Sequence, residues 1–143
     1  MFYGEYQHIL DVKSRIIIPA KFRSALGERF ILTKGMEKCL FAYTTEEWKC
    51  FEEKIKKLPM ADEGVRRFTR FFFSGVFECD QDAQGRVLIP NHLRAHAELD
   101  KEIVSIGVMN RVEIWSKDNW EAYNDSSNYI DNELSIKMAE LGI

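Results

Sequence analysis

The chain contains itself twice. Leu10-Asp11-Val12-Lys13-Ser14-Arg15-Ile16-Ile17-Ile18-Pro19-Ala20-Lys21-Phe22 returns as Gln81-Asp82-Ala83-Gln84-Gly85-Arg86-Val87-Leu88-Ile89-Pro90-Asn91-His92-Leu93. Asp, Arg and Pro hold the same spacing in both copies. Downstream, Ile31–Gly35 and Leu40–Thr44 match Ile103–Gly107 and Val112–Ser116, and Trp48 matches Trp120, with one residue of slippage between the two sets. Two copies are too few for a solenoid, whose repeats bury their faces only by stacking. The pattern points instead to an intramolecular pseudo-dimer in which each unit completes the other's core.

Each unit reads the same way. Residues 5–10 and 15–18, and again 77–80 and 86–89, are short runs separated by Asp-x-x-x, which predicts a β-hairpin in each half. Pro19 and Pro90 suit the start of a helix, where a missing N–H is no loss, so short helices are expected over 20–26 and 91–97. Strands are expected over 30–34, 39–43, 103–106 and 111–115, around Gly35 and Gly107. Thr44-x-x-Glu47 is a capping box opening a helix toward Leu58 and Pro59, and Ser116 can cap its counterpart. Val65, Phe68, Phe72 and Val76 recur at helical spacing between the units. The expected division is 1–58 first repeat, 59–76 linking helix, 77–120 second repeat and 121–143 acidic helical tail. Arg66, Arg67 and Arg70 on the linking helix read as a solvated face or as partners for Glu52, Glu53 and Glu63.

With 143 residues, 45% of them hydrophobic and 13% aromatic, the chain can bury a core without disulfides or a structural metal. Its three cysteines, Cys39, Cys50 and Cys79, form no Cys-x-x-Cys pair and read as reduced core residues of a cytosolic protein. No apolar run approaches the length of a membrane span and the first residues lack the pattern of a signal peptide, so a non-exported protein without membrane contact is expected. The net charge of −3 excludes a protein that holds nucleic acid through bulk positive charge. The acidity is concentrated at the end: residues 116–143 carry 2 basic and 6 acidic side chains, leaving 18 basic against 17 acidic in the rest.

The repeated Asp-x-x-x-Arg turn is the candidate site. Asp11 and Asp82 can hydrogen-bond the turn backbone and pair with the arginine four residues on, which positions the guanidinium. Beyond the turn, strand alternation sends Ile16, Ile18, Val87 and Ile89 inward, and Lys13, Arg15 and Ile17, or Gln84, Arg86 and Leu88, outward. A β-ribbon displaying a long polar residue, an arginine and an aliphatic side chain in a row fits the DNA major groove, arginine donating to guanine and the aliphatic group touching a thymine methyl.

At these residues the chain resembles the MraZ family, bacterial regulators associated with the division and cell wall gene cluster. The resemblance runs from Met1-Phe2-Tyr3-Gly4-Glu5-Tyr6 through both Asp-x-x-x-Arg turns to Ile114-Trp115, about four fifths of the chain. It implies an α+β, β-barrel-centred fold: two pseudo-symmetric AbrB-like swapped-hairpin units in a double-split β-barrel with packed helices and a C-terminal helix. It also implies a sequence-specific regulator, generally an autorepressor, that binds direct repeats upstream of its own operon as a ring-shaped homo-oligomer in the cytoplasm at the nucleoid, without a cofactor. Carried over position by position, the DNA contacts are Lys13, Arg15, Ile17 and Arg86, with Asp11, Asp82, Ser14 and Gly85 supporting the motif. One departure stands out. The family has Gly before the first arginine, as Gly85 stands before Arg86, whereas this chain has Ser14, which is strained if that position requires φ > 0.

Competing readings are weaker. Asp11, His8, Asp82 and His92 can be imagined as acid and base groups, but neither His8 nor His92 recurs in the other unit and no nucleophile elbow is present. His92 and His96 lack a third metal ligand nearby in sequence. The remaining alternative is an antitoxin-like protein-binding module. A chain at net charge −3 with few arginines per subunit binds DNA weakly alone, so the charge balance favours several linked subunits, whose avidity gains on the order of 10²–10⁴. The expected association surfaces are the helices after Thr44 and Ser116, with Trp48 and Trp120.

Overall fold

The computed structural model describes residues 1–127 and 132–143; the part of the expected tail helix that falls on 128–131 lies outside them. The element order is β1 (Phe2–Ile9), β2 (Arg15–Ile17), α1 (Ala20–Leu26), β3 (Arg29–Lys34), β4 (Leu40–Thr44), α2 (Thr45–Lys56), α3 (Glu63–Ser74), β5 (Phe77–Asp80), β6 (Arg86–Leu88), α4 (Asn91–Ala97), β7 (Glu102–Met109), β8 (Arg111–Ser116), α5 (Lys117–Ser127) and α6 (Asn132–Glu140). The class is α+β, built on a large antiparallel sheet. Two helix starts follow the caps read from sequence, Thr44 and Ser116, and a third, at Asp62, was not read there. Thr44 Oγ1 accepts from the Glu47 N–H at 3.0 Å, Asp62 Oδ1 from Gly64 N at 2.7 Å, and Ser116 Oγ from Asn119 N at 3.1 Å. Pro19 and Pro90 sit one position before their helices, in extended conformation, as N-caps.

The strands do not form the hairpins expected between residues 5–10 and 15–18 or between 77–80 and 86–89. β1 pairs with β7, β5 pairs with β3, and the two short strands β2 and β6 pair with each other. The halves have exchanged partners. The six-stranded sheet runs β1-β7-β8-β4-β3-β5 and reads the same from either end when each strand is replaced by its counterpart in the other half. Register locates the pseudo-twofold axis: Ile16 lies opposite Val87 in the ribbon, and Phe41 opposite Glu113 in the sheet, each residue facing its own repeat equivalent. A three-residue strand cannot hold a hairpin or shield its inward side chain alone. Pairing β2 with β6 sets two such strands side by side over a common core.

The sheet is covered on both faces, which explains the nearly unbroken apolar runs of β3 and β4. Phe30, Leu32, Leu40 and Ala42 face one way and join Ile16 and Val87 of the ribbon, Phe22 of α1 and Leu93 of α4 in the larger core. Ile31, Phe41 and Tyr43 face the other way, against Trp48 of α2 and Phe72 of α3. The ribbon and the helices α2 and α3 are therefore on opposite sides of the sheet. Arg66 donates to the Met60 and Ala61 carbonyls at 3.1 and 2.9 Å rather than to the glutamates expected as its partners. Trp48 is buried in its own chain's aromatic layer, and the half-buried Trp120 donates to Glu5 Oε1 at 3.1 Å. Cys39 and Cys79 are core residues, but Cys50 is exposed on α2, contrary to expectation: it lies on the face of that helix turned from the sheet.

Candidate nucleic-acid interface

The two Asp-x-x-x-Arg turns have the same internal wiring. Asp11 Oδ1 accepts from the backbone N–H groups of Lys13 at 2.8 Å and Arg15 at 3.0 Å, while Oδ2 accepts from Arg15 Nε at 3.1 Å. Asp82 Oδ1 accepts from Gln84 N and Arg86 N, both at 2.9 Å, and Oδ2 from Arg86 Nε at 2.6 Å. Each aspartate thus closes its turn and fixes its arginine by the Nε edge. In the ion pair that results, the arginine side chain is only partly exposed, at 29% for Arg15 and 36% for Arg86. The Arg15 backbone N–H, against a desolvation that acts the other way, holds the Asp11 carboxyl below its ordinary value, with help from Lys13 N–H and the Arg15 guanidinium. The Arg86 backbone N–H does the same for Asp82. Both carboxylates are charged throughout the physiological range.

Ser14 has φ +62° and Gly85 φ +76°. The position does require the left-handed region, because the N–H of each residue must turn back to the carbonyl of Asp11 or Asp82, at 3.0 and 2.9 Å. Ser14 adopts the same turn as glycine and carries the strain.

The exchange of strands makes one ribbon from the two turns. Arg15 lies opposite Leu88 and Arg86 opposite Ile17, and the turns stand at opposite ends, each locked to the exit of the other strand by Ile18 N to Gly85 O and Ile89 N to Ser14 O, both at 2.9 Å. Ile16 and Val87 point into the core, while Ile17 and Leu88 are half exposed at 50% and 52%. The outer face therefore reads Lys13, Arg15 beside Leu88, Ile17 beside Arg86, Gln84. All four contact residues expected from sequence, Lys13, Arg15, Ile17 and Arg86, are on this one surface. With ~3.3 Å per residue and ~4.8 Å between strands, the Arg15 and Arg86 backbones are about 8 Å apart, a rise of two to three base pairs. The whole array spans about 20 Å. Val12, entirely exposed at the turn tip, was not among the residues singled out from sequence. Its position beside Asp11 in a tight turn was the available signal.

The histidines are bound into the fold. His8 Nε2 meets Ser105 Oγ at 2.6 Å, His92 Nε2 faces the Gly75 carbonyl at 3.4 Å, and His96 Nε2 faces the Gly35 and Glu37 carbonyls at 3.0 and 3.2 Å. Asp11 and Asp82 are committed to their turns. Among the described residues no group of three or more His, Cys, Asp or Glu side chains is arranged to hold a metal ion.

Comparison with known proteins decides the family. The profile of the family described as "MraZ protein, putative antitoxin-like" matches residues 1–71 and again 72–137. The chain belongs to the MraZ family. It is 55% identical over 143 residues to the "Transcriptional regulator MraZ" of Alkaliphilus metalliredigens, and 57% identical over 143 residues to that of Alkaliphilus oremlandii, covering all of each chain in both cases. Identity to the protein of the same name from Clostridium acetobutylicum is 57% over 144 residues, again across the full length of both. The double match of the MraZ profile follows the repeat that the sheet order displays. These MraZ relatives are named as regulators of transcription, a class of proteins that bind rather than catalyse.

Proposed function

We propose that this chain is a sequence-specific DNA-binding regulator of transcription that inserts the β2–β6 ribbon into the major groove. The observation that carries the reading is the single outward array in which two arginines, each oriented by an aspartate, alternate with two aliphatic side chains. Arginine presents paired donors to guanine O6 and N7, and Ile17 and Leu88 offer apolar contact to thymine methyls. Lys13 adds a phosphate contact at one end. Ser14 and Gly85 supply the tight turns, and Asp11 and Asp82 position the arginines.

On this reading the exchanged strand pairs support a double-split barrel of two AbrB-like swapped-hairpin units, 1–58 and 77–120, joined by 59–76 and followed by the tail 121–143. The regulator represses its own division and cell wall gene cluster, binds direct repeats upstream of it as a ring-shaped homo-oligomer, and works in the cytoplasm at the nucleoid. Among the described residues no helix is long and apolar enough to cross a membrane. The small number of cations on each ribbon supports multivalent binding over single-subunit binding.

Gel-shift titration on the DNA upstream of its own gene tests this. Arg15→Ala loses roughly 1–3 kcal/mol per engaged subunit while fold and assembly are retained. Arg86→Ala loses less, because Gln84 brings no charge where Lys13 brings one. Unchanged affinity in both variants refutes the ribbon as the interface. The antitoxin-like description of the family keeps a second reading in view, a protein-binding module. Salt-insensitive, DNA-independent copurification with one protein, together with no preference among duplexes, would establish it instead.

A further inference from the structure

The helix after each ribbon strand carries an arginine at the same place: Arg23 on α1 and Arg94 on α4, equivalent positions of the two halves. Both reach back to the end of their own strand. Arg23 Nη2 donates to the Ile18 carbonyl at 3.0 Å, and Arg94 Nε to the Ile89 carbonyl at 3.1 Å. Those isoleucines are the junctions of the exchanged ribbon, since the Ile18 N–H donates to Gly85 and the Ile89 N–H to Ser14, each in the turn of the other half. Each arginine therefore stands where the strand of one half meets the turn of the other.

The second turn shows the closest fit. Gly85 is buried, and a Cβ there would fall on Nε, Cζ and Cδ of Arg23, so the guanidinium fills the space a side chain would need. Arg23 Nε is buried and, among the described residues, has no hydrogen-bond partner, which leaves packing on the turn as what that edge does. Gln81, the residue before Asp82, donates from Nε2 to the Arg23 and Gly27 carbonyls at 3.1 and 2.6 Å and ties the entry of the same turn to α1. At the first turn Ser14 brings a Cβ of its own. Arg94 there takes the strand carbonyl through Nε, its Nη2 turning to Asn91 Oδ1 at 3.3 Å, and lines one surface hollow with Asp11, Val12 and Ser14.

We propose that Arg23 and Arg94 are positioning residues that act crosswise: Arg23, from the first half, holds the turn that presents Arg86, and Arg94, from the second half, holds the turn that presents Arg15. The effect on recognition rests on the DNA-binding reading above. Each aspartate fixes its arginine within the turn, and the brace at the junction fixes the turn relative to the ribbon. Residues that share such a network lose their effects together and not one by one.

The test is a pair of double-mutant cycles in the full-length protein, read by gel-shift titration on the DNA upstream of its own gene and by amide exchange without DNA. Arg23→Ala should weaken binding by roughly threefold to tenfold, keep that factor on an Arg15→Ala background, and lose most of it on Arg86→Ala. Arg94→Ala should behave in the mirrored way. The slope of log affinity on log salt should stay as in the native protein, because no phosphate contact is removed. Arg94→Gln keeps a donor where Nε stands while removing the charge, and should retain most of the affinity. Without DNA, Arg23→Ala should speed exchange at the Gly85 and Arg86 amides and spare Ser14 and Arg15, with Arg94→Ala doing the reverse. Losses that are equal on both backgrounds, or coupling within one half, overturn the proposal. So does a flattened salt slope with Arg94→Gln as weak as Arg94→Ala, which would make these arginines phosphate contacts. A native protein that binds no duplex overturns the DNA-binding reading, whereas uncrossed exchange in a protein that does bind overturns the crosswise braces alone.

Discussion

A single atom decides how each arginine is presented: the aspartate Oδ2 takes Nε, which on the proposed reading leaves the outer guanidinium edge for a guanine. The same turns place a serine where the backbone needs φ > 0. Ser14→Gly should therefore stabilise the protein by about 1 kcal/mol, since only glycine adopts the left-handed region without steric cost. The check is the denaturant midpoint, with DNA affinity unchanged because the turn is already formed. His8 behaves differently. Desolvation by burial lowers its pKa from 6.5 to about 4, with the Ile17 backbone acting in the opposite sense. Above pH 6.5 the folded and unfolded chains both hold it neutral. Between 6.5 and 4 the unfolded chain takes up the proton and the folded one does not, so stability falls as the pH falls, by an amount on the order of 3 kcal/mol. His8→Gln should remove that part of the slope in denaturation midpoints measured across the interval. Asp11 and Asp82 lie below their ordinary values, so their stabilising effect is complete above the usual carboxylate range and is lost only as the pH falls through their lowered pKa values.

At the scale of elements, the exchange of strands makes demands that a local hairpin would not. β1 crosses β7 with Gly4 opposite Gly107, and a Cβ on Gly107 would meet the Tyr3 nitrogen and the Phe2 carbonyl carbon, both backbone atoms that cannot rotate away. Gly107→Ala should cost roughly 1–3 kcal/mol and loosen β1 from the sheet. Faster amide exchange along β1, with the β3–β4 pair still protected, is the expected readout. β8 shows how far the halves have diverged without losing the frame. Glu113 stands where its equivalent is Phe41, and it is buried with Arg111 at 2.6 Å and Trp115 Nε1 at 3.1 Å, while the Arg111 guanidinium lies 4.3 Å from the Phe41 ring centroid. A buried carboxylate is tolerated there because its oxygens have donors.

The whole molecule separates its tasks by layer. The ribbon is on one side of the sheet and α2 and α3 are on the other, so Arg66, Arg67 and Arg70 do not extend the ribbon's surface, however inviting they look in sequence. The β2–β6 pairing is made inside the chain, β1 and β5 are the edges of the open sheet, and Trp48 is buried and not available to a neighbouring copy. The exposed Leu58 and Met60 at the α2–α3 corner are apolar side chains that a neighbouring copy can cover. Head-to-tail contacts of this kind close into rings when the rotation permits. Light scattering after size exclusion at micromolar concentration should give a mass well above a dimer, and a monomer or dimer that persists with operator DNA present would remove the avidity on which binding at net charge −3 depends.

Local chemistry accounts for what the sequence alone determined. The caps at Thr44 and Ser116, the proline-led helices, the inward faces of Ile16, Ile18, Val87 and Ile89 and the two aspartate-closed turns each depend on residues within a few positions of one another. The repeat even announced the pseudo-dimer. What it could not reveal is which copy of a strand pairs with which, because matched units offer equivalent partners within and between halves. Only the tertiary structure decided that β2 pairs with β6 some 70 residues away, and so turned two expected hairpins into one ribbon with unlike ends. The physical reason is burial: strands of three residues hide their apolar faces only when the two halves share them over one core.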